Sequence, residues 1–337
     1  MIVSNSLSGG GAERSMNLLC NELTKRGWNV ALVPINEGDP DLVVPNCEIF
    51  HLHRQWRSGP LDTLLAIYRF NKIVSLWRPH KIILNCELPE LFGALLLSRK
   101  SLVIVEHSGM AWMNRAILGK VVRRILRLRG GIWVAVSSHL KIWPTNKSPA
   151  VVIQNPLASE SLVENKTAPT EILKRILFVG RLSPEKRPDY LIEIGEDIGV
   201  PIVMMGDGVE KETLQSEIDR RGLDITLCGQ ILDPWSLVKT GDLLIVPSAS
   251  EGDGLVVVEG MQIGIPMILS DIPSFQRFGL PKGNYCGSAK DFIARIEEYR
   301  NNLSFLVVPK EISKPILSLR STKTVGDSWE NLLETHS

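Results

Sequence analysis

Short apolar runs alternate with longer segments of helical periodicity along the whole chain. In the first half, the short apolar runs are 30–34, 81–84 and 102–105, and the helical segments are 12–25, 61–77 and 88–97. In the second half, the apolar runs are 176–179, 201–205, 225–228 and 266–269, and a helical segment lies at 210–221. Such alternation is typical of parallel sheets covered by helices on both faces. A chain of 337 residues is long enough for about two domains. The pattern therefore predicts an α/β fold of two doubly wound, Rossmann-like domains that face a central cleft.

A polar stretch at 159–170 marks the expected boundary between the two halves. The predicted domains are 1–155 and 160–319. A last helix at 328–333, within the segment 320–337, is expected to cross back to the first domain.

The composition argues against several classes of protein. The formal net charge is +1, whereas a dedicated nucleic-acid-binding protein carries a strong basic excess, so no nucleic-acid partner is expected. The five cysteines are odd in number, widely spaced and without a C-x-x-C pair, which predicts neither a disulfide framework nor a zinc site. A signal-peptide pattern is lacking, and no apolar run is long enough to cross a bilayer. We therefore expect a cytoplasmic protein.

The segment 247–271 has the features of an anion-binding unit of strand, loop and helix. Gly254 permits close approach of the backbone to a ligand, and a helix that begins near Leu255 would direct its first N–H groups at a bound anion. Glu251 would lie on the loop and Glu259 inside the helix, where both could line a crevice at the carboxyl end of a parallel strand. Similar units also occur in purely structural α/β segments, so this unit alone leaves both interpretations open.

A second unit of this type lies upstream, at 176–187. Its apolar strand runs into Gly180 and places Arg181 and Lys186 after the carboxyl end. Arginine offers phosphate oxygens a planar fork and lysine offers a point charge, so the pair suits a diphosphate.

At these residues the chain resembles the family-4 retaining glycosyltransferases of GT-B fold. The resemblance rests on FVGRLSPEKRPDYLIE, which contains Arg181 and Lys186, and on the E-x7-E pattern of EGDGLVVVE, formed by Glu251 and Glu259. Further motifs follow in the family's order: GGGAERSMNLLCNEL, an EHS triplet, VSSHL, VIQNPL and MMGDGVEKETLQ. Asp253 departs from the pattern, because an apolar residue is usual there, and this leaves the donor sugar open.

The resemblance implies a role for each of these residues. Arg181 and Lys186 would hold the donor diphosphate, and Glu259 would accept hydrogen bonds from the two ribose hydroxyls. Glu251 would act on the transferred sugar as nucleophile or as orienting group, and His107 would contact the same sugar. The other residues implied at the donor are Gly10, Gly11, Gly208, Gln230, Asp253, Gly254 and Leu255.

The segment 114–129 carries two patterns at helical spacing, which a helix would place on different faces. The apolar residues are Leu118, Val121, Val122 and Ile125. The basic residues are Lys120, Arg123, Arg124 and Arg127. The basic face fits either a solvated surface or an anionic membrane, to which each basic residue contributes on the order of 1 kcal/mol.

Two short patterns are typical of metal sites elsewhere. Asp39-Pro40-Asp41 matches the D-x-D motif of a different glycosyltransferase fold, and His51-x-His53 places two imidazoles together. The first match is attributed to chance. We expect no cysteine or carboxylate partners that would complete a metal site beside the histidines, which fit a surface pair better. We expect no metal and no other cofactor.

As the resemblance implies, the expected activity is transfer of a hexose, with retention, from a UDP- or GDP-sugar to a saccharide or polyprenyl-linked acceptor. Domain 1–155 would bind the acceptor and domain 160–319 the nucleotide sugar. The expected role is synthesis of a bacterial-type surface polysaccharide (O-antigen, capsule or lipopolysaccharide) at the inner face of the membrane. The alternatives are a nucleotide-sugar epimerase of the same fold and a non-catalytic nucleotide-binding Rossmann protein. No G-x-G-x-x-G follows the first strand, which argues against dinucleotide binding.

Overall fold

The structure is a computed structural model that describes residues 1–7, 9–38, 44–56, 59–108, 111–157 and 172–335. The chain forms two compact units, one comprising Met1–Ala158 and Leu319–Ser337 and the other Ser159–Ser318. Each unit contains one parallel sheet with helices, so the predicted pair of doubly wound α/β domains is confirmed. Asp39-Pro40-Asp41 and the stretch 159–170 lie outside the described residues.

The described strands are β1 Ile2–Ser4, β2 Ala31–Pro34, β3 Glu48–Ile49, β4 Lys81–Asn85, β5 Ser101–Glu106, β6 Ile132–Ala135, β7 Val151–Val152, β8 Arg175–Val179, β9 Ile202–Met205, β10 Ile225–Gly229, β11 Asp242–Val246, β12 Met267–Ser270 and β13 Tyr285–Cys286. The described α-helices are α1 Gly11–Lys25, α2 Pro60–Trp77, α3 Glu87–Ala94, α4 Ala116–Leu128, α5 Tyr190–Ile198, α6 Lys211–Arg221, α7 Leu255–Ile263, α8 Pro273–Gln276, α9 Ala289–Asn301, α10 Lys310–Ser318 and α11 Thr322–Thr335.

The sheet of the first unit has the order β3-β2-β1-β4-β5-β6-β7. Its central strands are buried apolar runs, as expected for a parallel sheet covered on both faces. Ile2 of β1 pairs with Leu32 on one side and with Ile83 on the other. The direction of strand addition therefore reverses between β1 and β4, and ligands of open α/β sheets bind beyond the carboxyl ends of strands at such a reversal.

Helices cover both faces of this sheet. On one face, α1 and α11 share an apolar core in which Trp329 is buried, and Arg26 pairs with Asp327 at 2.7 Å and with Glu330 at 2.9 Å. On the other face, α2, α3 and α4 pack over a second core that contains Phe70 and Phe92. The helix nearest the C-terminus therefore belongs to the first unit.

The sheet of the second unit has the order β10-β9-β8-β11-β12-β13, with all described neighbours parallel. Leu243 of β11 pairs with Ile176 of β8. The order reverses between these two strands, so the loops that follow them start side by side.

The structure adds elements that the sequence pattern did not reveal. The strand β3 has only two residues, too few to show a period of two. Helix α10 contains Pro315, a residue that normally disfavours a helix interior, and α5 follows Pro188 closely. Helix α11 extends well beyond the predicted 328–333.

Candidate functional site

The loops after β8 and β11 are joined by an ion pair and by a backbone hydrogen bond. Lys186 ends a short 3₁₀ turn after β8, and its Nζ forms an ion pair with Oε1 of Glu251 in the loop after β11. Ser248 Oγ donates to the same carboxylate oxygen at 3.1 Å. The Ala249 N–H donates to the Glu185 carbonyl at 2.8 Å. The structure therefore brings together two of the side chains expected at the donor.

Arg181 occupies a more open position on the same edge of the sheet. Its side chain is 63% exposed and lies 3.7 Å from Glu185 Oε1. An exposed ion pair at this distance contributes little free energy, so it restrains the position of the Arg181 guanidinium only weakly. Arg181 is therefore able to turn toward an anionic ligand at little cost.

The glycines after β9 allow two backbone segments to touch. A Cβ at Gly206 would lie 1.8 Å from the Gly180 carbonyl oxygen, and one at Gly208 would lie 2.2 Å from the Leu182 carbonyl oxygen. The Leu182 N–H donates to the Asp207 carbonyl at 2.9 Å. Gly208, expected at the donor, thus has a packing reason of its own: it lets the segment that carries Arg181 lie against the loop after β9.

Helix α7 begins at Leu255, where the sequence placed its start. Gly254 caps the helix at φ 62°, a left-handed conformation that glycine adopts without strain. The first N–H groups of a helix have no partner within it and carry its positive dipole end. The loop and helix start therefore have the geometry of an anion site on the second unit.

Asp253 is held by a cation of the protein itself. Its carboxylate, 5% exposed, lies 3.0 Å from Arg277 Nη2, which also donates to the Asp253 carbonyl at 2.6 Å. The Arg277 guanidinium lies over the Phe278 ring, 4.4 Å from its centre. This pair explains why a carboxylate is tolerated where the resembled family has an apolar residue. Arg277 was not singled out in the sequence, because its partner is 24 residues away.

Glu259 lies inside α7, and its carboxylate is buried. Its Oε2 accepts a hydrogen bond of 3.0 Å from the indole Nε1 of Trp235. Sequence reasoning missed Trp235, although a tryptophan in the turn D-P-W-S soon after Gly229-Gln230 was an available signal. Gln230 itself follows β10 and is exposed.

The expected residues of the first unit lie at the carboxyl edge of its own sheet. His107 follows β5, and its Nε2 is 2.6 Å from Asn85 Oδ1 at the end of β4. Gly10 caps α1, Gly11 is the first residue of that helix, and the Gly10 N–H donates to Glu13 Oε2 at 3.0 Å. The N–H of Gly10, a residue that the resemblance implies at the donor, is therefore occupied by a carboxylate of the helix that follows it.

Arg123 is a correction to the sequence analysis, which placed it on the exposed basic face of the helix, toward either solvent or an anionic membrane. Its side chain is fully buried and lies 2.6 Å from carboxylate oxygens of both Glu90 and Glu106. It also donates to the Trp143 carbonyl at 2.7 Å. A guanidinium is stable inside the protein only when such partners repay its lost hydration. The two acids are 33 and 17 residues away, so local periodicity could not reveal them.

The outer face of α4 also differs from the expectation. Lys120, Arg124 and Arg127 are exposed as predicted, but Leu118 and Val121 are exposed beside them rather than on a separate face. Two further apolar residues of the helix, Ile117 and Leu128, are 83% and 81% exposed. The exposed surface of α4 is thus apolar and basic at once.

The described residues contain no group of three or more His, Cys, Asp or Glu side chains placed to hold a metal ion. The rings of His51 and His53 are stacked with centres 5.6 Å apart. His53 Nδ1 lies 3.3 Å from Glu37 Oε1, a carboxylate neighbour that the sequence analysis did not anticipate. In the part of the chain that the structure describes, no helix is both long and apolar enough to cross a bilayer.

Comparison with known proteins bears on the second unit in particular. The family model of "Glycosyl transferases group 1" matches residues 162–298, so this stretch is a domain of that family. A protein of Methanocaldococcus jannaschii named as an uncharacterised glycosyltransferase is 28% identical over 188 residues, and the match spans 53% of this chain and about half, 52%, of that relative. The amylovoran biosynthesis glycosyltransferase AmsD of Erwinia amylovora is 24% identical over 290 residues, which cover 80% of this chain and 78% of AmsD.

Among solved structures, Anabaena HepE in complex with UDP and glucose superimposes with a TM-score of 0.78. The superposition covers 99% of this chain and 98% of HepE at 19% sequence identity. At this level of identity the likeness concerns the fold, and the predicted GT-B fold is confirmed.

Proposed function

We propose that this chain, which carries a Glycosyl transferases group 1 domain at 162–298, is a retaining glycosyltransferase that moves a hexose from a UDP- or GDP-sugar to a saccharide acceptor on a lipid carrier. The second unit would bind the donor and the first unit the acceptor. The complex of HepE with UDP and glucose supports a donor made of UDP and a hexose. The name of AmsD, an amylovoran biosynthesis glycosyltransferase, supports a surface polysaccharide as the product.

The ion pair of Lys186 with Glu251 is the observation that carries this proposal. Lys186 neutralises the Glu251 carboxylate in this pair. A donor diphosphate brings negative charge to the same ammonium, and this charge grows as the sugar–phosphate bond breaks. Lys186 and Arg181 then stabilise the leaving nucleoside diphosphate electrostatically, which is commonly the largest contribution to catalysis.

Glu251 and Glu259 have different surroundings and therefore different proposed roles. Glu251 would act near the sugar, as nucleophile or as the group that stabilises positive charge at the anomeric carbon. With the second role, the leaving phosphate takes the acceptor's proton as the new glycosidic bond forms. Glu259 would bind the ribose hydroxyls, a contact that changes little while the sugar is transferred.

Replacement of each glutamate by glutamine tests this division. Glu251→Gln should lower kcat by about 10²-fold or more with a small change in donor affinity, because its contact strengthens in the transition state. Glu259→Gln should raise the donor KM with a smaller effect on kcat. Glu193→Gln, on the exposed face of α5, is the matched control and should change neither constant.

The donor base is identified first, by the thermal shift that UDP, GDP and their sugars cause, since a bound ligand stabilises the folded state. Loss of donor affinity alone in both glutamate variants would point to a nucleotide-binding module. Conversion of the sugar without any acceptor would point to an epimerase.

We also propose that the outer helical layer of the first unit contacts an anionic membrane from the cytoplasmic side. On α4, exposed Ile117 and Val121 lie among Lys120, Arg124 and Arg127. Helix α2 covers the same face of the sheet and exposes a second apolar stripe, formed by Leu61, Leu64, Leu65 and Tyr68. Apolar residues rimmed by basic ones suit the interface of a negatively charged bilayer.

Flotation with vesicles that contain anionic lipid tests the membrane contact. The double variant Lys120→Glu, Arg124→Glu should lose binding, and so should the wild type in high salt, because screening weakens the attraction. Ile117→Ser should weaken binding, whereas Val209→Ser, at an equally exposed position of the second unit, should not. Equal losses in the two serine variants would contradict the assignment.

A further inference from the structure

Trp235 is a buried residue of a turn whose second half is exposed. The 3₁₀ turn Pro234–Leu237 connects β10 to β11, and Leu232, Ser236 and Leu237 around it are exposed. The Trp235 ring is only 1% exposed, and its single polar atom meets the carboxylate of Glu259 at 3.0 Å. This hydrogen bond joins the turn to the middle of α7.

The chemistry of the two groups makes this contact directional. An indole N–H can only donate, and a buried carboxylate needs donors to offset the hydration it has lost. A hydrogen bond to a charged acceptor is roughly twice as strong as one between neutral groups. The Trp235 N–H therefore restrains the rotation of the Glu259 carboxylate about its last torsion, a torsion that is otherwise broad.

The turn has other means of holding its shape. Asp233 Oδ1 accepts from the Ser236 N–H at 3.3 Å, and Ser236 Oγ donates to the Asp233 carbonyl at 2.7 Å. A phenylalanine could fill much of the space of the indole but could not bond to the carboxylate. The N–H is thus required by Glu259 rather than by the turn.

We infer that Trp235 is a positioning residue for the nucleotide: its N–H holds the Glu259 carboxylate at the angle at which that carboxylate receives the ribose hydroxyls. The inference rests on the proposed function, in which Glu259 binds the ribose. It follows that loss of the N–H weakens recognition of the hydroxyls and leaves the transfer step itself nearly unchanged.

The test compares the affinities of UDP and 2′-deoxy-UDP by calorimetry, with the guanosine pair used instead if GDP gives the larger thermal shift. The wild type should bind the deoxy ligand about tenfold or more weakly, the scale of one hydrogen bond to a charged group. In Trp235→Phe this ratio should fall below about threefold. The donor KM should rise while kcat changes little.

Trp329→Phe is the matched control, because Trp329 is equally buried but lies in the core of the first unit. It should retain the wild-type ratio even if it lowers the melting temperature. A second variant carries 3-benzothienylalanine at position 235, which keeps the bicyclic shape and lacks the N–H. It should reproduce the loss of discrimination without a cavity.

The outcomes separate this inference from the proposed function. If the wild type binds both ligands equally, Glu259 does not receive the ribose, and the inference fails together with that part of the proposed function. If the wild type discriminates and Glu259→Gln does not, but both Trp235 variants still discriminate, the positioning role is refuted and the proposed function stands.

Discussion

Glu106 should make the stability of the first unit fall as the pH rises through the neutral range. Burial raises the pKa of its carboxyl from the usual 4.5 to about 7, despite the nearby Arg123 guanidinium. A smaller contribution in the same direction comes from the charge of Glu90, which shares the Arg123 guanidinium with Glu106.

The sign and size follow from proton linkage. Between pH 4.5 and about 7, the folded protein keeps the Glu106 proton and the unfolded chain loses it. The folded state therefore binds more protons, and the free energy of unfolding decreases as the pH rises across this window. A shift from 4.5 to about 7 corresponds to about 3 kcal/mol, at 1.36 kcal/mol for each pH unit. Below the window both states are protonated, and above it both are ionised, so the contribution levels off.

Urea unfolding of the wild type and of Glu106→Gln, followed from pH 4.5 to 8, measures this effect. Tryptophan fluorescence follows the unfolding, and one of the eight tryptophans, Trp112, donates its indole N–H to Glu90. The stability of the wild type relative to Glu106→Gln should fall by about 3 kcal/mol across the series. Glu217→Gln is the control: hydrogen bonds from Arg220 and Arg221 lower the pKa of Glu217 to about 2, so its titration lies below the window.

A constant difference between the wild type and Glu106→Gln at every pH would refute the reasoning. It would mean that Glu106 is ionised throughout and that Arg123 supplies enough charge for both acids. A rise in the stability of the wild type relative to Glu106→Gln with increasing pH would also refute it, because the linkage would then have the opposite sign.

Two further predictions concern the second unit and are measured by the same unfolding assay. Asp253→Leu or Arg277→Met alone should cost about 3 kcal/mol, because each removes one side of a buried ion pair, whereas the double variant Asp253→Leu, Arg277→Met should recover most of the loss. Additive costs would show that the two side chains do not interact. Gly206→Ala should destabilise by more than about 3 kcal/mol, because its Cβ would meet the Gly180 carbonyl oxygen at 1.8 Å, whereas Gly222→Ala, with open space at φ 63°, should cost only about 1 kcal/mol.

The sequence could predict the elements whose patterns are local. Helix α2 was expected at 61–77 and is observed at Pro60–Trp77, since eighteen residues are enough to show a helical period. The start of α7 at Leu255 followed from the glycine before it. Helix α10 was not predicted, because Pro309 and Pro315 obscure its period.

The candidate site divides in the same way. Loop positions such as Lys186 and Glu251 were predicted because each follows an apolar strand, and the strand order then brings the loops together. The side chains that bond to Glu259 and to Arg123 could not be predicted. Trp235 acts on a glutamate 24 residues away, and the partners of Arg123 come from two other elements. Sequence periodicity shows which face of a helix or strand a residue occupies. It does not show which side chain, distant in the sequence, contacts that residue in the fold.

The return of α11 to the first unit has a consequence for synthesis on the ribosome. The chain leaves the first unit after Leu157 and re-enters beside the same place, since the Leu157 N–H donates to the Arg320 carbonyl at 2.9 Å. The second unit is thus an insertion, and all of its residues are made before Trp329 and Leu333, which complete the core of the first. Domains generally fold as units during synthesis. The first unit is therefore the first to begin synthesis and the last to complete its core. Part of the apolar surface of its early strands stays uncovered while the inserted second unit folds.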